Sequence, residues 1–294
     1  MSSFSIKLNK VAKDINKYLK FLFSKQKKKS FLTTPMQYSL FSGGKRFRAA
    51  IIVSIGKIYN IDYKKLIKVG AAVECIHSYS LIHDDLPAMD NDDLRRGKMA
   101  NHKKFNEFTA ILAGNSLLTL AFEILSSSDL KLEEKKKNEL IKSLAISSGY
   151  SGLAGGQYFD LTFENKKISE KNVIKMQEKK TGKLFGFCCE SVSIIKGHSL
   201  KKRNVLKSIG NNIGLLFQIT DDLIDYTGKS KIVGKPTKSD FKKGKATLIK
   251  LFGYYKTLNF AKKLKNKIDK KINKLGNRTE DLLESVNFIL DRKF

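Results

Sequence analysis

At 294 residues with 41% apolar content, the chain sits near the upper limit for one hydrophobic core, and 57 Lys+Arg against 28 Asp+Glu give it a formal charge of +29. Its three cysteines, Cys75, Cys188 and Cys189, are odd in number and lack zinc-ligand spacing, which argues against a disulfide framework and for a reducing, cytoplasmic setting. Phe21-Leu22-Phe23 is too short for the apolar stretch of a signal peptide, and long charge-free runs such as 109–122 fall short of a membrane span.

Apolar residues recur at helical spacing almost throughout, and alternating strand patterns are hard to find. The pattern predicts helices over about 5–24, 45–60, 67–86, 108–126, 134–160, 169–196, 203–227, 246–273 and 280–292. Between them lie the breakers: Pro35 with Gly43-Gly44, Pro87 with Gly97, and Gly228 through Gly244 with Pro236. The expectation is an all-α, single-domain bundle over 1–294, with its site built from side chains on facing helices around a central cavity.

High positive charge favours nucleic acid or an anionic surface as partner. Here the lysines are scattered through runs such as 25–29, 135–137 and 262–274, interleaved with Asn and Ile, and no aromatic stripe for base stacking accompanies them. They read as solvated surface, with neither nucleic acid nor a membrane span expected. Acids and arginines are placed less evenly. Eight of the sixteen aspartates fall within 84–93 and 221–225, and four of the seven arginines, Arg46, Arg48, Arg95 and Arg96, lie in or near those neighbourhoods. Paired carboxylates about 4 Å apart repel by roughly 4 kcal/mol at an effective dielectric of about 20, so such clusters call for a counter-charge. Hard oxygen donors suit Mg²⁺, and arginine forks suit phosphate.

In chain order, Ser42-Gly43-Gly44-Lys45-Arg46-Phe47-Arg48 leads into an apolar helix, where exposed N–H groups favour an anion, and Lys45 and Arg48 share a face one turn apart. Taken alone, a Gly-Gly turn with basic surface is the better reading of this stretch. His77 and Asp84 share a face near the end of the next helix, where carboxylates oppose the macrodipole. Pro87 disfavours helix at Leu86, so Asp90 can fold back from a loop beside Asp84 and Asp85. His77 by itself is also compatible with a core imidazole. Arg95-Arg96 follows closely, either as phosphate donors or as a loop paired with Asp92 and Asp93. Lys180-Thr181-Gly182 interrupts a helical pattern at a plausible kink. Gln218, Asp221, Asp222 and Asp225 lie at i, i+3, i+4 and i+7, an acidic stripe opposite Ile209, Ile213, Leu216, Ile219 and Leu223. Lys235 and Lys245 occupy the glycine-punctuated loop that follows.

This ordered series, with Glu74 through Gly97, Gly155-Gly156-Gln157, Gly234-Lys235 and Gly244-Lys245-Ala246-Thr247, resembles the trans-isoprenyl diphosphate synthases, most nearly the bacterial farnesyl diphosphate synthases. The resemblance implies a polyprenyl synthase domain of the terpenoid synthase type, acting on allylic diphosphates and isopentenyl diphosphate. It places three Mg²⁺ ions on Asp84, Asp85, Asp90, Asp221, Asp222 and Asp225. It assigns isopentenyl diphosphate to Lys45, Arg48, His77 and Arg96, and the allylic diphosphate to Arg95, Lys180, Lys235 and Lys245. Thr181 and Gln218 match positions lining the developing carbocation, and Tyr79 with Ser80 match the chain-length positions. Tyr79, five residues before Asp84, lies roughly 7.5 Å deeper along the helix, where a ring blocks a growing tail. A homodimer is the implied assembly. The segment after Lys245 lacks the proline common in the family, so a looser helix start is expected there.

Overall fold

The computed structural model describes residues 3–25, 31–227 and 244–291. The chain divides into two compact units, Met1–Gly56 with Ile61–Ile141, and Lys57–Asn60 with Lys142–Phe294.

The first unit contains helices α1 (Ser3–Ser24), α2 (Thr33–Leu40), α3 (Phe47–Ile58), α4 (Tyr63–Asp84), α5 (Asn101–Lys104) and α6 (Glu107–Ser126). Asp62 caps α4 by accepting a hydrogen bond from the Lys65 N–H at 3.1 Å. Apolar residues cover most of the α4 surface, and Val69, Ala71, Ala72, Val73, Cys75 and Ile76 are fully buried against α1, α2 and α6. Small residues of α6, among them Ala110, Ala113 and Gly114, are buried and permit that close packing. At 20 residues, with a mean hydropathy of 1.6 over an 18-residue stretch, α6 is longer than the charge-free run suggests and meets the length and composition needed to cross a bilayer. Its alanine face is nevertheless committed to this unit's core.

Two differences here have local causes. Pro35 reads as a breaker, yet it sits in the first turn of α2, where backbone N–H groups have no helical partner and its ring does no harm. Helix α3 begins at Phe47 rather than 45, because Gly43, Gly44 and Arg46 all have positive φ. Lys45 therefore lies on a bent approach, not one helical turn from Arg48. Among the described residues the only strands are β1 (Leu94–Arg95) and β2 (Lys98–Met99), an antiparallel pair joined through Arg96 and Gly97, both at positive φ as a tight primed turn requires.

Helix α7 (Glu134–Ser148) leads into the second unit, which holds α8 (Leu153–Thr162), α9 (Glu170–Gln177), α10 (Lys183–Lys196) and α11 (Leu200–Thr227). Three shorter or C-terminal helices follow, Leu248–Phe252, Tyr254–Asn273 and Glu280–Leu290. The expected helix 134–160 is split at Gly149–Gly152, where a side chain at Gly152 would strike the Ser147 carbonyl. The expected helix 246–273 is split at Gly253, at φ +78°. Thr247 accepts a hydrogen bond from the Lys250 N–H at 3.3 Å and caps the short helix without the missing proline. The interruption at Lys180-Thr181-Gly182 is present as a wide π turn, Glu178–Gly182, between α9 and α10. Gly186 and Gly210 bring α10 and α11 into close approach, since a side chain at Gly210 would meet the Phe185 carbonyl and Gly186.

Candidate functional site

In the first unit, the C-terminal end of α4 carries the first acidic motif. The helix stops at Asp84, and the loop past Pro87 folds back as expected: Asp90 N–H donates to the Asp84 carbonyl at 2.9 Å and Asp92 N–H to that of Asp85 at 3.2 Å. Asp84 and Asp90 are half-buried, whereas Asp85 is buried. Arg95, presented by β1, forks onto Asp85, with Nε donating to Oδ1 at 2.9 Å and to Oδ2 at 3.2 Å while Nη2 also reaches Oδ1. The same guanidinium reaches Asp92 at 3.4 Å. Both roles weighed for Arg95 are therefore open to one side chain: it fixes a carboxylate and stands beside the acidic motif.

A cationic group accompanies it. Arg96 Nη1 donates to the Gly43 carbonyl, and its guanidinium lies over Gly44, where any side chain would collide with it. Gly44 also has φ +107°, so the glycine is required twice over. Half-buried His77 has its pKa held well below the usual imidazole value by burial first and then by the charges of Arg48, Arg96, Arg46 and Arg95, so it is a neutral donor or acceptor among guanidinium groups. Lys45 is exposed on the Gly43–Arg46 bend. Arg46, by contrast, turns inward: it is buried, with φ +51°, and donates to Glu74 at 3.3 Å, to Asn16 at 2.9 Å and to the Leu40 carbonyl. It braces the bend that carries Lys45 and Arg48. Tyr79 is buried, its ring edge-on to His83 at 5.6 Å, and His83 in turn contacts the Ile111 carbonyl at 3.1 Å and packs at Gly114 of α6. Burial and then the nearby Asp84 charge push the Tyr79 pKa up to about 12. Ser80 spends its hydroxyl on the His77 carbonyl at 3.0 Å.

In the second unit, the acidic stripe of α11 is present, and its apolar counterpart Ile209, Ile213, Leu216, Ile219 and Leu223 is fully buried. The stripe is not uniform. Asp221 and Asp225 are half-buried, while Asp222 is buried and receives Gln177 Nε2 at 2.7 Å and Gln218 Nε2 at 2.9 Å. Thr181 donates its hydroxyl to Gln218 Oε1 at 2.8 Å, which joins the two positions directly. Lys180 and Lys245 also meet, each donating to Asp160 Oδ2, at 2.7 and 2.8 Å. Burial alone would raise the Asp160 pKa, but the two ammonium groups outweigh it and leave the carboxyl below its usual value. Lys235 lies outside the described residues.

Two participants carry little sequence signal: Asp160 and Gln177. Asp160 offered more, as the lone charged residue of α8, three positions after Gly155-Gly156-Gln157.

Among the described residues no three acid, histidine or cysteine side chains are gathered closely enough to hold a metal by themselves. That suits Mg²⁺, which keeps water and takes one or two carboxylates together with substrate phosphates rather than a closed protein cage. The donors at both motifs are hard carboxylate oxygens, with no thiolate among them.

Comparison with known proteins agrees with this chemistry. The family model described as polyprenyl synthetase matches residues 29–286. The farnesyl diphosphate synthase of Bacillus subtilis (strain 168) is 42% identical over 218 residues, 74% of this chain and 73% of that protein. The apo structure of an FPP/GFPP synthase from Zymomonas mobilis matches with a TM-score of 0.85 at 36% identity, covering 98% of both chains. A geranyltransferase from Helicobacter pylori, complexed with magnesium and isoprenyl diphosphate, matches with a TM-score of 0.82 at 31% identity, covering 99% of this chain and 98% of that one.

Proposed function

The chain belongs to the polyprenyl synthetase family, and from that membership we propose that it is a farnesyl diphosphate synthase, condensing isopentenyl diphosphate first with dimethylallyl diphosphate and then with geranyl diphosphate. The observation that carries this reading is a pair of separate cationic sets, each in the unit that bears one acidic motif: His77 among Arg48 and Arg96, and Lys180 with Lys245. Two diphosphate substrates need two such sets.

In this reading the whole chain acts as one polyprenyl synthase domain. Lys45, Arg48, His77 and Arg96 bind isopentenyl diphosphate, with His77 neutral so that it donates without adding charge. Arg95, Lys180, Lys235 and Lys245 bind the allylic diphosphate. Mg²⁺, three ions in this reading, would be held at the two acidic motifs, by Asp84, Asp85 and Asp90 of the first and by Asp221, Asp222 and Asp225 of the second, with Asp85 and Asp222 serving from braced positions. Bound magnesium supplies positive charge for the diphosphate that leaves. Lysine and arginine donors aimed at the same oxygens lower the barrier further because they need no reorientation. The Thr181 hydroxyl and Gln218 amide offer dipoles to the allylic cation, apolar walls exclude water, and the homoallylic double bond attacks to form the new carbon–carbon bond. The released diphosphate takes the proton that restores the alkene. Tyr79, backed by His83 and next to Ser80, stops the tail after the second addition.

The enzyme is read as cytoplasmic and homodimeric. Support for a second copy comes from α6, which leaves Phe108, Ile111 and Leu112 exposed at 67, 41 and 45%. Incubating purified protein with Mg²⁺, dimethylallyl diphosphate and isopentenyl diphosphate, then sizing the products, tests the function. Farnesyl diphosphate with transient geranyl diphosphate is expected. A geranylgeranyl product would overturn the length assignment, and absence of turnover would overturn the enzyme.

A further inference from the structure

We infer that Asp160 is a positioning residue of the allylic diphosphate subsite, a single carboxylate that gathers Lys180 and Lys245 and presents them as a pair; this rests on the reading above, in which those lysines take that diphosphate. Three distant pieces of chain converge on one oxygen. Asp160 comes from α8, Lys180 from the π turn 20 residues later, and Lys245 from a position 85 residues later. The carboxylate is 8% exposed and the Lys245 side chain 7%.

Simple i,i+4 ion pairs of this protein look different: Lys10–Asp14 and Lys265–Asp269 each join neighbours on one helix, at 3.0 and 2.6 Å. At Asp160 two cations share one acceptor, an arrangement their mutual repulsion opposes unless an anion lies between them. Lys245 is anchored at both ends. Its head also meets Glu164 at 3.2 Å, and the preceding Gly244, at φ +68°, accepts the Asn165 N–H at 3.0 Å and fits against the Asn165 side chain. Helix α8 and its C-terminal turn thus supply Asp160, Glu164 and Asn165 to hold a lysine that belongs to a distant segment. A lysine ammonium has three N–H donors, so it can serve a carboxylate and a phosphate together. Asp160 fixes where the two positive charges stand before a ligand arrives, and binding then need not assemble them.

The test is steady-state kinetics with each substrate varied separately. Asp160→Asn is expected to raise KM for the allylic diphosphate about tenfold or more and KM for isopentenyl diphosphate less than about twofold, as loss of a charge-assisted anchor at one subsite would. Asp160→Glu, which keeps the charge and displaces it by one methylene, should give an intermediate rise, again confined to the allylic substrate. An equal rise for both substrates, or none for either, overturns the positioning role, and Asp160→Glu decides it if Asp160→Asn does not fold. Lys180→Met and Lys245→Met separate the two layers of the argument. If they leave the allylic KM unchanged, the subsite reading fails; if they raise it while the Asp160 variants do not, Asp160 alone is misassigned.

Discussion

Each acidic motif carries two adjacent aspartates, Asp84 and Asp85 at the C-terminal end of α4 and Asp221 and Asp222 within α11, and in each the second aspartate is buried and held by protein donors, but the donors differ. Asp85 meets the guanidinium of Arg95, whereas Asp222 meets the neutral amides of Gln177 and Gln218. A guanidinium fixes a carboxylate and cancels its charge; an amide fixes it and leaves the charge in place. The first motif therefore exchanges some attraction for cations for a rigid arginine that can also face phosphate. The amides at the second fix their carboxylate without bringing a charge of their own.

Several substitutions probe that contrast. Asp84→Ala and Asp221→Ala are each expected to lower kcat about a thousandfold or more, the scale of removing a transition-state charge stabiliser. Near-normal turnover in either would show that its motif does not hold the magnesium. In stability, Arg95→Met should cost about 3 kcal/mol or more, because it removes the charged partner forked onto a buried carboxylate. Gln177→Met should cost only about 1–2 kcal/mol, since Gln218 still serves Asp222. Urea unfolding of the two variants ranks them, and equal losses would erase the distinction between charged and neutral holders.

Titration adds a smaller effect. His77 has a folded pKa below its unfolded value of about 6.5, so its contribution to stability is present above that pH and lost as the pH falls through the folded value. The Asp160 pKa is lowered too, so its contribution is present above about 3.9, the unfolded carboxyl value, and is lost as the pH falls through the folded value. Unfolding midpoints measured from pH 7 downward should fall in two stages, with His77→Gln flattening the upper one. The mildest expected change in rate comes from Tyr79→Ala, which should lengthen the product; an unaltered product distribution would sink the steric account.

The acidic stripe of α11 was legible because period 3.6 places Gln218, Asp221, Asp222 and Asp225 on one side whatever the tertiary context. Pro87 likewise announced the exit from α4 and the return of Asp90. Other features left no local trace. Nothing in Lys45-Arg46-Phe47-Arg48 says which arginine turns inward; that is decided by a positive φ at Arg46 and by Glu74, 28 residues away. The Asp160 cluster is a long-range convergence, invisible to any window. The splits at Gly149–Gly152 and Gly253 show apolar periodicity continuing across a bend, because the flanking helices bury the same kinds of residue.

The wide turn at Glu178–Gly182 sets the phase between α9 and α10. Successive residues of an α-helix step by about 100°, so one surplus residue offsets everything upstream by that angle. Gln177, just before the wide turn, and Thr181, within it, reach Asp222 and Gln218 of α11 respectively. A chain one residue shorter at this point would regain a regular helix and lose that alignment, keeping one contact or the other. In this segment residue count matters as much as residue identity, and indels there act as site mutations even when every named side chain survives.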